Sequence, residues 1–483
     1  MAVREVRVVP SENTPSQAVE AIRAWLASQW SDIAWKFESA SAEHEVYSEP
    51  TLAIVARGDD PPRADPAEIG VVYWPTGHHG DQEHVPRNVR GALRAQLARV
   101  LAPRDGAAPG RKLAGPPAEV TRAALFRLPR LLPQALEPVP RVMPKRCLHS
   151  IGCTECADSC LSGALLFPDG NPAIEDAACT ACGACVAACP TGALQSGTIG
   201  DQQWEELLQE LAREDEPPAL RVSCLKDVGR FDFDGVVLTV PCVGELGWYP
   251  LWLMAAHGLK VDMVCADGAC PLTSAGQAAI ERWQRVEILT GEREVDRGVT
   301  ASDLRLESNV RWGNTVVAIR AAQGTGGLVA EASPGTPILG CGIGLESSSG
   351  HECTLCESCV RICPTQALAV KRTDARRLEW RAEACLGCGA CANTCPEGCL
   401  TKTGEAGIDQ LLSPSPVILY EERPALCRRC GKPLESATFL RTVEAKLLAH
   451  GLSREATAYL HYCADCKDEM SFPGVHGQAT SQQ

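Results

Sequence analysis

The sequence is poor in aromatic side chains, at 5% of its 483 residues, and contains only five methionines. Cores built from it are small, so something besides apolar burial has to hold them. It also lacks a positive excess. The formal net charge is −14, which argues against a general nucleic-acid surface. No long apolar run is present either. Residues 236–259, "VVLTVPCVGELGWYPLWLMAAHGL", come nearest, but Pro241, Glu245 and Pro250 interrupt them. A buried strand followed by a helix is expected there, not a membrane span. The opening "MAVREVRVVPSENTPSQAVEAIRAWL" carries charge throughout, so no secretory leader is expected. Cysteine is missing from the first 115 residues.

One stretch departs from the acidic balance. Residues 104–146 set nine Lys and Arg against three acids among many prolines. This is the composition of an exposed linker, with a docking arm for an acidic partner or anionic lipid as the alternative.

Cysteine itself is abundant, with 26 residues gathered in short clusters. Clustered thiols in a reducing compartment are metal ligands rather than bridges. The chain is therefore expected in the cytoplasm or on the cytoplasmic side of a membrane.

Residues 179–190 are "CTACGACVAACP", 353–364 are "CTLCESCVRICP" and 385–396 are "CLGCGACANTCP". All three match the C-x2-C-x2-C-x3-C-P run of bacterial ferredoxins. Three thiolates on one tight loop wrap three corners of a cubane, and the fourth turns away to the neighbouring cluster. Small residues such as Gly183, Ala184, Gly389 and Ala390 let the backbone approach and aim amides at the sulfurs. The fourth cysteine is expected to start a helix, with its proline in the first turn.

A fourth copy, "CLHSIGCTECADSCLSGAL", is altered: Ser150 stands where the first cysteine belongs and Leu161 replaces proline. Cys147, three residues earlier, is expected to be the displaced ligand. The alternatives are Ser150 or His149 as ligand, or a three-iron cluster, either of which would raise the potential of that centre.

Pairing the copies gives four [4Fe-4S] sets. Cys147, Cys153 and Cys156 join Cys189, and Cys179, Cys182 and Cys185 join Cys160. Likewise Cys353, Cys356 and Cys359 join Cys395, and Cys385, Cys388 and Cys391 join Cys363. Cys341 and Cys399 are spare; each is expected to be a buried small residue, with Cys399 close enough to act as a substitute ligand.

Residues 218–292 alternate apolar runs with helical stretches. "VVLTVPC" and "LKVDMVC" are expected as buried strands, "GWYPLWLMAAHGL" as a helix between them and "RVEILT" as a further strand. Cys224, Cys242 and Cys265 fall at strand ends, with Cys270 on the loop that follows. In a parallel α/β sheet, ligands sit at those ends. The segment resembles the delta subunit of methyl-viologen-reducing hydrogenases, which has a Cys-x-Gly after one strand and a Cys-x4-Cys after the next. Here these are "CVGEL" at Cys242 and "CADGAC" at Cys265 and Cys270, 23 residues on. The resemblance covers about 80 residues and implies a [2Fe-2S] cluster on Cys224, Cys242, Cys265 and Cys270. The family's opening segment has more than one cysteine, whereas "RVSCLKD" has Cys224 alone. Buried core thiols, or a dithiol redox pair, are the alternatives.

In the tail, "LCRRCGKPLES" supplies Cys427 and Cys430, and "HYCADCKDE" supplies Cys463 and Cys466. Two C-x2-C knuckles make a four-thiolate site of the structural zinc type, with "ATFLRTVEAKLLAHGLS" as a helix between them. A fifth cubane is the alternative, disfavoured because no proline-terminated x3-Cys follows. At the head, "EVRVVP", "TLAIVAR" and "IGVVYWP" are expected as strands, and "SQAVEAIRAWLASQW" and "VRGALRAQLARVL" as helices. His78, His79 and His84 belong to a loop that is expected to be solvent-exposed. No flavin, nicotinamide or molybdenum motif is recognised; "GTGG" and "GCGIG" lack the G-x-G-x-x-G frame.

The expected fold class is α/β and α+β, multidomain. Its segments are an N-terminal α/β domain (1–115), a Pro-rich basic linker (116–145) and a dicluster ferredoxin domain (146–200). A central parallel α/β domain (201–335), a second dicluster domain (336–405) and a zinc-knuckle module (406–483) follow. The expected function is an electron-transfer subunit between an acceptor and a catalytic partner: a hydrogenase, a formate dehydrogenase or a heterodisulfide-reductase-like flavoprotein. The partner would carry flavin, molybdenum or nickel, in a hetero-oligomeric complex without nucleic acid or a transmembrane segment. An oxidoreductase with a substrate-binding cluster, and a cluster-based redox sensor, are the alternatives.

Overall fold

The computed structural model describes residues 4–10, 16–29, 33–37, 51–56, 69–74, 137–213, 219–224, 235–265, 270–290, 311–322, 352–403 and 405–470, with a few short pieces between them. The histidine loop, Cys341 and all of residues 113–136 lie outside these. The chain forms two compact units, Met1–Ser150 with Thr154–Ala332, and Ile151–Cys153 with Ser333–Gln483.

The first unit begins with strand β1 (Arg4–Pro10), helix α1 (Ser16–Gln29) and strands β2 (Ile33–Phe37), β3 (Thr51–Ala56) and β4 (Ile69–Trp74). The sheet is wholly parallel, in the order β2-β1-β3-β4. Val6 and Val8 of β1 and Leu52 of β3 are fully buried, as are Ile22 and Leu26 of α1. The helix places its two apolar residues four positions apart, on one face.

A second parallel sheet follows helix α2 (Ala184–Ala188) and helix α3 (Asp201–Ala212). Its strands are β5 (Leu220–Cys224), β6 (Val236–Val240) and β7 (Val261–Val264), in the order β6-β5-β7. Val222 is opposite both Leu238 and Met263. β5 and β6 are largely buried, whereas β7, an edge strand, is half-buried along its length. Helix α4 (Trp248–Ala256) joins β6 to β7 and buries eight of its nine residues. A helix apolar all round belongs in a core, and Pro250 is tolerated because it lies in the first turn. Each large side chain buried there contributes about 1.5–3 kcal/mol.

"RVEILT" is not a strand. It ends helix α5 (Thr273–Thr290), whose buried residues include Ala275, Ala279, Trp283, Val286 and Leu289. Those spacings follow the 3.6-residue period, and Ile288, which a strand would pair with Val286 on one face, is 72% exposed. Helix α6 (Arg311–Ala322) packs on α4. No helix among the described residues is long and apolar enough to cross a membrane.

The second unit contains helix α7 (Ser358–Ile362), a hairpin of β8 (Leu368–Arg372) and β9 (Arg376–Trp380), and helix α8 (Ala390–Thr394). Strand β10 (Val417–Glu422) extends the hairpin into a three-stranded antiparallel sheet. A short hairpin of β11 (Pro424–Leu426) and β12 (Pro433–Ser436) leads to helix α9 (Ala437–Ala449) and, later, helix α10 (Ala464–Asp468).

Candidate metal centres

Around the cysteine motifs the backbone adopts one repeated shape. The residue before the second cysteine has positive φ in three copies, at Ala181 (53°), Leu355 (56°) and Gly387 (65°). The residue after it does too, at Gly183 (71°), Glu357 (62°) and Gly389 (74°). A non-glycine residue there costs on the order of 1 kcal/mol or more and persists only where the surroundings impose it. The altered copy keeps the first of these positions, at Gly152 (99°). Such turns carry amides towards sulfur: Ala181 N donates to Cys179 Sγ at 3.4 Å, and His149 N to Cys147 Sγ at 3.4 Å.

The fourth cysteines do not begin helices. Cys189, Cys363 and Cys395 close α2, α7 and α8, each in extended backbone after the last helical residue. The reason is the proline, which disfavours the helical conformation of the residue before it. Each helix is only five residues long and carries the third cysteine of its motif inside it.

In the second unit the thiols surround two cavities. One, of about 410 Å³ with its open mouth, is lined by Cys385, Cys388, Cys391 and Cys363, with Gly387, Gly389 and Lys402. The other, of about 330 Å³, is lined by Cys353, Cys356, Cys359 and Cys395, and also by Cys399. Each thus combines three thiols of one motif with the last of its twin. Burial first, then the neighbouring thiols, pushes Cys391 up to about 12 and Cys359 up to about 11. Sulfurs held this close resist ionising together unless a cation is among them, so the donor set fits an iron–sulfur cluster. Cys399 donates a hydrogen bond to Cys353, lowering that thiol and raising its own. Its Sγ is 3.5 Å from Cys395 Sγ.

In the first motif pair the thiols are packed into small buried clusters. Cys156, Cys185 and Cys189 share one buried cluster with Val186 and Leu194, and Cys147 and Cys160 pack against it. Cys153 is also buried, and Cys179 packs with Cys160 in an adjoining cluster. Burial, then Cys182, Cys179, Cys160 and Cys156, raises the Cys185 thiol strongly. At the altered end, the His149 ring stacks on Phe167 at 3.8 Å between centroids and Ser150 is exposed. Cys147 is the member of that stretch packed among the other thiols.

The central thiols gather at the carboxyl end of their sheet. Cys224 is the last residue of β5, Cys242 follows β6 and Cys265 follows β7. Cys242 is raised to about 12 by burial, with Glu245, Cys224 and Cys265 adding to the rise. Cys270 packs against the cluster formed by Cys242, Cys182, Leu272 and Ala275. A Cβ on Gly276 would stand 2.3 Å from Cys265 Sγ, so glycine is required where α5 passes this thiol.

Two further glycines bring the Cys242 loop against the ferredoxin loop. A Cβ on Gly183 would meet the Glu245 backbone at 2.7 Å, and one on Gly244 would meet Cys182 O at 3.0 Å. Glu245 is buried beneath them, its carboxylate accepting from Ser196 Oγ at 3.0 and 2.9 Å. Burial raises its pKa to about 8, against the lowering effects of Ser196 and Arg311. Glu245 and Arg311 were not singled out from sequence; a lone acid in "CVGEL" and an Arg before Trp312 carry no motif.

The tail thiols differ in scale. Sγ atoms of Cys427, Cys430, Cys463 and Cys466 all lie within 4.8 Å of one another. This is the spread of ligands about one ion with metal–sulfur bonds of about 2.3 Å. Among the described residues no cubane set closes so tightly. Gly431, at φ 73°, donates to Cys427 O at 2.9 Å and turns the knuckle. Burial opposes ionisation of Cys427, but amides of Cys430, Cys463 and Arg429 hold it down at about 6.

Comparison with known proteins agrees with this geometry. The 4Fe-4S dicluster domain family matches residues 352–399, and the 4Fe-4S binding domain family matches residues 172–195. The chain thus carries two ferredoxin-type 4Fe-4S regions. Among curated proteins it is similar to ketoisovalerate oxidoreductase subunit VorC of Methanothermobacter marburgensis, 42% identical over 50 residues. That match spans 10% of this chain and 63% of the relative's length.

Proposed function

We propose that this chain is an electron-relay subunit of an oxidoreductase complex. The observation that carries the reading is the pair of cavities in which three thiols of one motif meet the fourth of the other. The ligand sets are those given above: Cys147, Cys153, Cys156 and Cys189; Cys179, Cys182, Cys185 and Cys160; Cys353, Cys356, Cys359 and Cys395; Cys385, Cys388, Cys391 and Cys363. Cys224, Cys242, Cys265 and Cys270 hold a [2Fe-2S] centre in a domain like the hydrogenase delta subunit. Cys427, Cys430, Cys463 and Cys466 hold zinc. When bound, the clusters store and pass single electrons; the protein fixes their spacing, excludes water and directs amides at sulfur.

The domains of this reading are the segments 1–115, 116–145, 146–200, 201–335, 336–405 and 406–483. Clustered thiols of this kind persist in a reducing compartment, which supports a cytoplasmic location. That the similar protein is a subunit of an oxidoreductase supports assembly with a catalytic partner. The partner is a hydrogenase, formate dehydrogenase or heterodisulfide-reductase-like enzyme with flavin, molybdenum or nickel. Anaerobic pull-down of the full chain from native cells tests this: such a partner should co-purify and reduce or oxidise the clusters. Substrate turnover by the isolated chain, or bound DNA without an enzyme partner, would refute it.

A further inference from the structure

Arg311 reaches the first dicluster segment from more than a hundred residues downstream. It opens α6, and its side chain is 9% exposed. Its Nη1 donates to Val186 O at 2.6 Å and to Cys189 O at 3.2 Å; Nη2 donates to Leu194 O at 3.0 Å. Nε donates to Asp201 Oδ2 at 2.9 Å. The next residue is fastened as well, Trp312 N donating to Pro190 O at 3.0 Å. One guanidinium thus gathers two carbonyls at the end of α2, where the chain leaves the helix through Cys189, and a third at Leu194 beyond the turn.

Asp201 is held just as deliberately. It is the first residue of α3, where the exposed amides favour a negative charge. Its Oδ2 also accepts from Gln195 Nε2 at 2.8 Å. A Cβ on Gly192 would come within 2.9 Å of Gln195 Nε2, 3.0 Å of Asp201 Oδ2 and 3.4 Å of Arg311 Nε. The turn after Pro190 therefore has glycine, at φ 70°, where any side chain would intrude on the pair. Desolvating a guanidinium and a carboxylate is costly. Capping three carbonyls alone would need no formal charge.

We propose that Arg311 and Asp201 are a buried charge pair that sets the reduction potential of the cluster bound through Cys189, the centre of the altered motif. This rests on Cys189 being a ligand. Arg311 is the member touching the Cys189 peptide, and Asp201 tempers it from the far side. Reduction adds one electron to the centre with no bond or proton change at the pair. A nearby positive charge favours that electron and a negative charge opposes it. Both are positioning residues, acting through Cys189.

The test is a redox titration of the anaerobically purified full chain, followed by electron paramagnetic resonance with iron content measured alongside. The centre in question is the one whose signal changes in Cys147→Ser. Arg311→Met should lower its potential by on the order of tenfold in the reduction constant, about 59 mV for one electron. Asp201→Asn should raise it, and Arg311→Lys should stay near wild type. Opposite signs cannot arise from loosened packing, which would move both neutral variants the same way. Equal or same-direction shifts with iron retained would overturn the proposal. If Arg311→Met fails to hold iron, Asp201→Asn decides: an upward shift supports the pair and no shift refutes it. Absence of clusters in the wild type would instead defeat the relay reading beneath it.

Discussion

A fifth sulfur beside a four-cornered site poses the sharpest question at the scale of single residues. Cys399 is 2% exposed, lines a thiol cavity and donates to Cys353. As a donor to a ligand it should tune the centre without holding it. Cys399→Ala is thus expected to keep the full iron content and lower the potential of that cluster; loss of iron would make Cys399 a ligand. Glu245 offers a pH test. Its pKa rises from 4.5 in the ordinary state to about 8 when folded, so the native state favours the protonated acid. Stability from this group is complete below about pH 4.5 and is lost as pH rises through 8. Glu245→Gln should flatten the fall of the thermal midpoint between pH 5 and 8. A parallel fall in both proteins would show that the carboxyl is not the cause.

At the scale of elements, the sequence was most legible where a local rule acts alone. Period-two and period-3.6 patterns gave α1, β1, β3, β4 and the β5-to-β7 crossover, and the strand ends placed Cys224, Cys242 and Cys265 together. "RVEILT" misled because Val286-Glu287-Ile288 alternates over three residues, whereas the helical period shows only over the eighteen of α5. The proline after each fourth cysteine was visible, but its effect on the preceding residue decided the helix end. β2 was not picked out. Arg311 was invisible because its partners lie over a hundred residues away and are mostly backbone carbonyls. Two expectations follow from the elements. Gly276→Ala should expel about two iron atoms, since its Cβ would collide with Cys265 Sγ at 2.3 Å, leaving the cubanes intact. Chelation should unfold the tail, seen as fast hydrogen exchange over Pro433–Ala449, because two short hairpin strands and half-buried helices lack a core of their own. Unchanged protection after zinc loss would contradict a structural role for the ion.

The whole molecule is two compact units; the second contains a 4Fe-4S dicluster domain, and the first contains a 4Fe-4S binding region and the central thiols. Thiols account for much of the interior that aromatics supply elsewhere; Cys179, Cys182, Cys224, Cys242, Cys353, Cys385 and Cys427 are all buried. Burial and neighbouring sulfurs raise Cys359 and Cys391, so such thiols ionise together only when a cation is among them. Metal content of the anaerobically isolated full chain tests that most directly. Four cubanes, one two-iron centre and one zinc require about 18 iron atoms and one zinc per chain. About 16 iron would remove the central cluster and about 20 would make a further site cubane. A colourless chain with no iron, and no paramagnetic signal after dithionite, would contradict the relay outright.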